Sequence, residues 1–189
     1  MNRQLWTISN SLSVLRIVLV VPLALSISSD APGNRLYAVG LIIAAALTDF
    51  LDGFFARKLD QITDVGKIID PLADKIAVGV VCIVLAVQGE MPLWYLIVAI
   101  ARDVLILLGG VYLKNKKGIL LQSNIIGKWT VVIVTMYIFL LVLRSDALVW
   151  LSGMLLILST VMLLISFVMY VLRFMRTISS VEMQSNVQM

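Results

Sequence analysis

An all-α integral membrane protein, built as a six-transmembrane-helix bundle around a polar, cytoplasm-facing cavity, is the architecture this sequence points to. Apolar residues make up 61% of the chain and charged ones only 14%, more apolar than a soluble domain of 189 residues requires for its core. The apolar residues run in stretches long enough to cross a hydrocarbon layer about 30 Å thick, which takes roughly 20 helical residues. Charge falls between the stretches, except for a few aspartates and cations set inside them. Lipid offers no partner to backbone N–H and C=O groups, so the stretches must be helices.

Six spans are expected, at about 9–29, 36–57, 68–88, 92–113, 125–144 and 147–172. The first follows an interfacial segment, 1–8, where Trp6 suits the headgroup level and no signal-peptide cleavage pattern is present. Between the first and second, Ser28 to Asn34 holds Asp30, Pro32 and Gly33, a turn composition. The second span ends, and the third begins, in acidic sequence. Gly89 and Pro92 separate the third from the fourth, which contains Arg102 and Asp103. Lys114, Lys116 and Lys117 precede the fifth, which opens on Lys128, and a short polar turn from Arg144 to Asp146 leads to the sixth. These connections are too short to hold a soluble domain. The whole chain, 1–189, therefore reads as one membrane domain, with 177–189 as a polar, disordered tail.

Composition removes several functions. With no histidine there is no His-based acid–base chemistry, no Ser-His triad and no His-ligated zinc. The single Cys82 forms no intrachain disulfide and no thiolate metal site. The net charge of +4 is a topology signal. An even number of spans puts both termini on one side, with Arg3, Arg57, Lys58, Lys67, the Lys114–Lys117 cluster, Lys128, Arg173 and Arg176; the other side carries Arg35 and Arg144. The positive-inside rule places the termini and the acidic segment in the cytoplasm. Nucleic acid is not an expected partner, since no soluble basic face exists; anionic lipid headgroups are.

The acidic segment reads D-F-L-D-G-F-F-A-R from Asp49 and, eight residues after Arg57, G-K-I-I-D-P-L-A-D to Asp74. On helices, Asp49 with Asp52 and Asp70 with Asp74 each share a face. Carboxylates at membrane depth are costly and mark a functional site by default. Two such pairs converging on one place repel unless cations sit between them, and oxygen donors favour one or two Mg²⁺-like ions. Arg16, Asp49, Asp74 and Lys75 lie at a similar depth, roughly 10 Å inside the cytoplasmic boundary at 1.5 Å per residue. Phosphoryl transfer is catalysed by positioning and charge neutralisation, and a metal pair held by Asp49, Asp52 and Asp70 supplies both. A cation channel or transporter also uses intramembrane carboxylates and stays open on these residues alone.

The spacing D-x2-D-G-x2-A-R-x8-G-x3-D-x3-D, carried by Asp49, Asp52, Gly53, Ala56, Arg57, Gly66, Asp70 and Asp74, resembles the signature of the CDP-alcohol phosphatidyltransferase family. The span-one stretch N-S-L-S-V-L-R, ending at Arg16, is similar to a segment these enzymes carry at the same place. The resemblance is close over the first half of the chain and coarse over the second. It implies an enzyme of the bacterial cytoplasmic membrane that moves a phosphatidyl group from CDP-diacylglycerol to an alcohol and releases CMP. It implies Mg²⁺ or Mn²⁺, two ions, on Asp49, Asp52, Asp70 and Asp74, with Asp74 also taking the proton of the attacking hydroxyl. Gly53, Ala56, Arg57 and Gly66 would bind the CDP-lipid, the small residues admitting the nucleotide and Arg57 reaching the diphosphate.

The acceptor is a small anionic alcohol or a lipid alcohol. G-K-I-I-D-P-L-A-D-K resembles members that use glycerol 3-phosphate, which ranks first. A-R-D-V-L-I-L-L-G-G, from Ala101 to Gly110, resembles members that use phosphatidylglycerol, which ranks second; inositol or its phosphate is a further alternative. Arg102 and Lys128, with Lys75 and Arg16 assisting, are the candidate acceptor-binding cations; Arg102 paired to Asp103, and Lys128 as a topology anchor, are the structural alternatives. Gly79, Gly109 and Gly110 mark close helix contacts, either within the chain or at a homodimer seam.

Overall fold

The computed structural model describes the backbone of residues 8–58, 66–117 and 125–187, and the side chains of 15–48, 74–113 and 125–178. Six α-helices and one 3-10 turn make up the described residues, with no strand among them. They are α1 (Ile8–Ser28), α2 (Asn34–Lys58), α3 (Gly66–Val87), α4 (Leu93–Lys117), α5 (Ile125–Leu143) and α6 (Val149–Val187), the 3-10 turn Asp146–Leu148 leading into α6. Each falls on one of the apolar stretches. Three of them, over Leu93–Leu113, Ile125–Leu143 and Asp146–Ile178, are long and apolar enough to cross a membrane; Leu15–Ser28 and Asn34–Thr48 are shorter apolar segments among the described residues. Large apolar side chains such as Leu36, Val87, Ile125 and Ile157 are more than two-thirds exposed. A water-soluble protein does not tolerate such an apolar surface; lipid is its solvent. This is a membrane protein.

The chain divides into two compact units. The first holds α1, α2, α3 and the segment Leu141–Ser145 at the end of α5; the second holds Leu93–Leu140 and the segment from Asp146 onward. In the first, α1 packs against both α2 and α3. Ile27, Ala38, Leu85 and Val142 are fully buried. Pro22 lies inside α1 and removes one backbone donor there. Ser26 turns its hydroxyl onto the Pro22 carbonyl at 2.6 Å, so its own polar group is satisfied inside the helix.

Polar turns fasten one end of this unit. α3 closes in a Schellman motif: Gly89, at φ 75°, lets its N–H reach the Ala86 carbonyl (3.1 Å) and the Glu90 N–H reach the Leu85 carbonyl (2.9 Å). The motif sets Gln88 and Glu90 side by side. Arg35, at the start of α2, donates to Gln88 (3.0 Å) and twice to Glu90 (3.1 and 2.5 Å), and Gln88 donates to the Ile27 carbonyl of α1 (2.9 Å). Arg144 joins from the end of α5, lying 3.4 Å from Glu90 and 2.9 Å from Asp30. It occupies the left-handed region at φ 45°, a conformation that costs a non-glycine residue about 1–2 kcal/mol and that its ion pairs offset. These turns looked like plain punctuation in the sequence; instead they gather both basic residues of that side onto two carboxylates.

In the second unit α4 packs against α6. Tyr95 donates to Ser159 (2.9 Å) and meets Tyr137 edge-on at 5.0 Å between ring centres. Thr130 reaches the Met162 carbonyl (3.2 Å) as well as its own helix. Gly109 makes room for Tyr170: a Cβ there would stand 3.2 Å from the ring, whose hydroxyl donates to the Ile106 carbonyl at 2.8 Å. The close contact expected at Gly109 and Gly110 is thus made within the chain. Among the described residues, none would lie within 4 Å of a Cβ at Gly79.

One expectation is corrected. The stretch from Thr177, read as a disordered tail, continues α6 as far as Val187. No glycine or proline follows Gly153 to stop the helix, and Thr177 returns its hydroxyl to the Arg173 carbonyl (2.9 Å). Polarity marked the end of the apolar span, not the end of the helix. Residues 1–7, in the expected interfacial segment, lie outside the described residues, as do the side chains of Asp49, Asp52 and Asp70 expected to line the cavity.

Candidate active site

Asp74 sits in the third turn of α3, counted from Gly66, with its side chain half exposed at 49%. Arg16 reaches it from α1, its Nη1 donating to Asp74 Oδ1. The Arg16 side chain is 4% exposed. An ionised guanidinium is tolerated at such a position only beside an anion. Two polar ties therefore set the register of α1 against α3: Gln88 on the Ile27 carbonyl at one end, and Arg16 on Asp74 about three turns further along. The similar depths assigned to Arg16 and Asp74 from sequence correspond to a direct contact.

Asp49, Asp52, Gly53, Ala56 and Arg57 fall in the C-terminal part of α2, and Gly66 and Asp70 in the opening of α3. Helical register puts Asp49 and Asp52 on one face of α2 and Asp70 and Asp74 on one face of α3. Their side chains, Asp74 excepted, lie outside the described residues. Among the described residues no cluster of three or more acidic, His or Cys residues occurs. The donor set nevertheless fits a hard divalent cation: it consists of carboxylate oxygens on two helices, in a chain with no histidine and one buried cysteine.

The remaining candidate cations differ in surroundings. Lys75 on α3 and Lys128 on α5 are exposed. Arg102, on α4, is mostly buried (side chain 14% exposed), donating to Asp103 (2.7 Å) and to Ser166 of α6 (2.5 Å). Its pairing with Asp103 follows the structural alternative. Ser166 was not foreseen: a serine in an apolar helix carries no signature until the guanidinium opposite, 64 residues away, is known.

Aspartates on two consecutive helices of a membrane protein, with Asp74 paired to a buried arginine, are a pattern suited to polar, charged chemistry at membrane depth. Residues 6–172 match the family model described as CDP-alcohol phosphatidyltransferase, and the chain belongs to that family. It is an enzyme of phospholipid biosynthesis, a transferase. The chain is 37% identical over 131 residues to a CDP-diacylglycerol–glycerol-3-phosphate 3-phosphatidyltransferase of Aquifex aeolicus, covering 68% of this chain and 71% of the relative. A protein of the same description from Mycoplasma genitalium is 33% identical over 139 residues, covering 65% of this chain and 58% of that one. A cardiolipin synthase (CMP-forming) of Streptomyces coelicolor is 30% identical over 149 residues, 77% of this chain and 69% of the relative.

Proposed function

We propose that this chain transfers the phosphatidyl group of CDP-diacylglycerol to glycerol 3-phosphate, releasing CMP and forming phosphatidylglycerophosphate. The carrying observation is the complete aspartate motif on α2 and α3, lying inside the family match, with Asp74 oriented by Arg16. Relatives described by this activity in two bacteria support the acceptor. Phosphatidylglycerol is the second reading, favoured by the Streptomyces coelicolor relative and by the Arg102–Asp103 pair. Ion transport is not carried further, since the family match is to a transferase.

In the reaction, the acceptor oxygen bonds to the phosphorus that carries diacylglycerol. The pyrophosphate P–O bond breaks, and CMP leaves with the electron pair. Asp74, half exposed and fixed in place, accepts the hydroxyl proton. Arg57 meets the diphosphate, while Gly53, Ala56 and Gly66 let the nucleotide approach the helices. Asp49, Asp52, Asp70 and Asp74 would hold Mg²⁺ or Mn²⁺, which would neutralise charge on the phosphates. Arg102 and Lys128 are the cations offered to an anionic acceptor. The six helices each span the membrane, with both termini and the site on the cytoplasmic side. Lysines and arginines favour that side, whereas Arg35 and Arg144 on the other are neutralised by Glu90 and Asp30.

The test is purified enzyme with CDP-diacylglycerol and Mg²⁺ or Mn²⁺, assayed for CMP release against each acceptor in turn. Glycerol 3-phosphate is expected to give the fastest turnover; preference for phosphatidylglycerol selects the second reading. Asp70→Asn and Asp74→Asn should abolish turnover while the protein stays folded. Wild-type rates in either would remove that residue from the chemistry.

A further inference from the structure

Arg16 and Asp74 are unequal partners. The arginine side chain is 4% exposed and the aspartate 49% exposed, so the cation is buried while the carboxylate is half exposed. Val20 and Leu23, one and two turns on from Arg16 along α1, are buried apolar residues. Turning away to meet a substrate would cost the guanidinium its contact with Asp74, the anion that makes a buried charge tolerable there. What it can do is hold one carboxylate oxygen in a fixed place. A planar, permanently charged donor fork does this better than a flexible ammonium.

From this geometry we infer that Arg16 is a positioning residue: it orients the Asp74 carboxylate for the transfer step and does not bind the acceptor. The inference rests on the role given to Asp74 above, and it reassigns an arginine that the sequence offered to the acceptor. It also explains why a buried arginine belongs in the apolar first helix. α1 packs on both helices that carry the aspartates, so a contact from α1 to Asp74 locates the carboxylate relative to the bundle rather than to its own helix alone. Displacement of a reacting group by about 1 Å can cost on the order of a hundredfold in rate, so losing this contact should reduce kcat.

The experiment compares Asp74→Asn, Arg16→Ala and Arg16→Lys in the CMP-release assay, with both substrates varied and thermal unfolding followed in detergent. Arg16→Ala is expected to lower kcat by about thirtyfold or more while the KM values of CDP-diacylglycerol and acceptor change by less than about threefold. Free guanidinium at roughly 20 mM, entering the space the side chain leaves, should restore part of kcat, and methylammonium at the same concentration less. A purely structural arginine would give neither this division nor the rescue. Should Arg16→Ala not fold, Arg16→Lys carries the test through the same division: reduced kcat at held KM supports positioning. A raised acceptor KM with kcat kept, or full wild-type kinetics, in either arginine variant overturns it; so does a kcat loss in Arg16→Ala that guanidinium leaves untouched. If Asp74→Asn itself keeps the wild-type rate, the role of Asp74 falls and this inference with it. If Asp74→Asn is inactive while Arg16→Ala is unimpaired, this inference alone falls.

Discussion

Arg102 is held from two sides, by Asp103 next to it in sequence and by Ser166 from α6. That arrangement sharpens what its removal should do. If Arg102 also takes the acceptor phosphate, Arg102→Ala raises the acceptor KM far more than that of CDP-diacylglycerol; equal changes in both would leave it a structural residue. Ser166→Ala tests the support. It removes a buried acceptor from a mostly buried guanidinium and should lower stability by about 1–3 kcal/mol, read as a drop in the unfolding temperature. At this scale the sequence told unevenly. The aspartates were legible because charge inside an apolar stretch is expensive and therefore stands out. Arg16 was legible as a buried cation, but its partner was not, since equal depth in two helices leaves open which side chains turn toward one another. Ser166 was silent, being cheap to place in a helix with or without a partner.

Between helices, small side chains and turn geometry determine contacts. Tyr170 fits over Gly109, and a Cβ there would press on the ring at 3.2 Å. Gly109→Val should therefore destabilise the α4–α6 contact by about 1–3 kcal/mol, and Tyr170→Phe, which loses only the bond to the Ile106 carbonyl, by about 1 kcal/mol. Thermal unfolding in detergent separates the two. A larger penalty for Tyr170→Phe than for Gly109→Val would place the weight on the hydrogen bond. The cluster of Arg35, Glu90 and Arg144 makes a different prediction. Glu90→Gln leaves Arg35, whose side chain is 14% exposed, without its ionised partner and should cost roughly 2 kcal/mol. The helices themselves could be read from apolar length, to within a few residues for most ends. The cluster could not, because Arg35 and Glu90 stand 55 residues apart and meet only once α3 has closed on Gly89. The end of α6 was misplaced because the change from apolar to polar was taken as the helix boundary.

For the molecule as a whole, membrane residence follows from composition, and the orientation proposed above follows from which turns carry lysine and arginine. Its one cysteine makes the orientation testable. In a Cys82→Ala background, a membrane-impermeant maleimide should label Ser145→Cys in intact cells, and Asn115→Cys only once the membrane is opened. The reverse pattern would invert the topology. The length of α6 bears on how the protein meets its surroundings. Its 39 residues measure about 58 Å along the axis, nearly twice the thickness of a bilayer's hydrocarbon. If α6 crosses the membrane as proposed above, tilt alone would not absorb such an excess, and its last turns, about Glu182, Gln184 and Asn186, would stand in water as a short mast. A fluorophore or affinity handle fused beyond Val187 would ride clear of the headgroups, and a bulky one there should leave catalysis undisturbed.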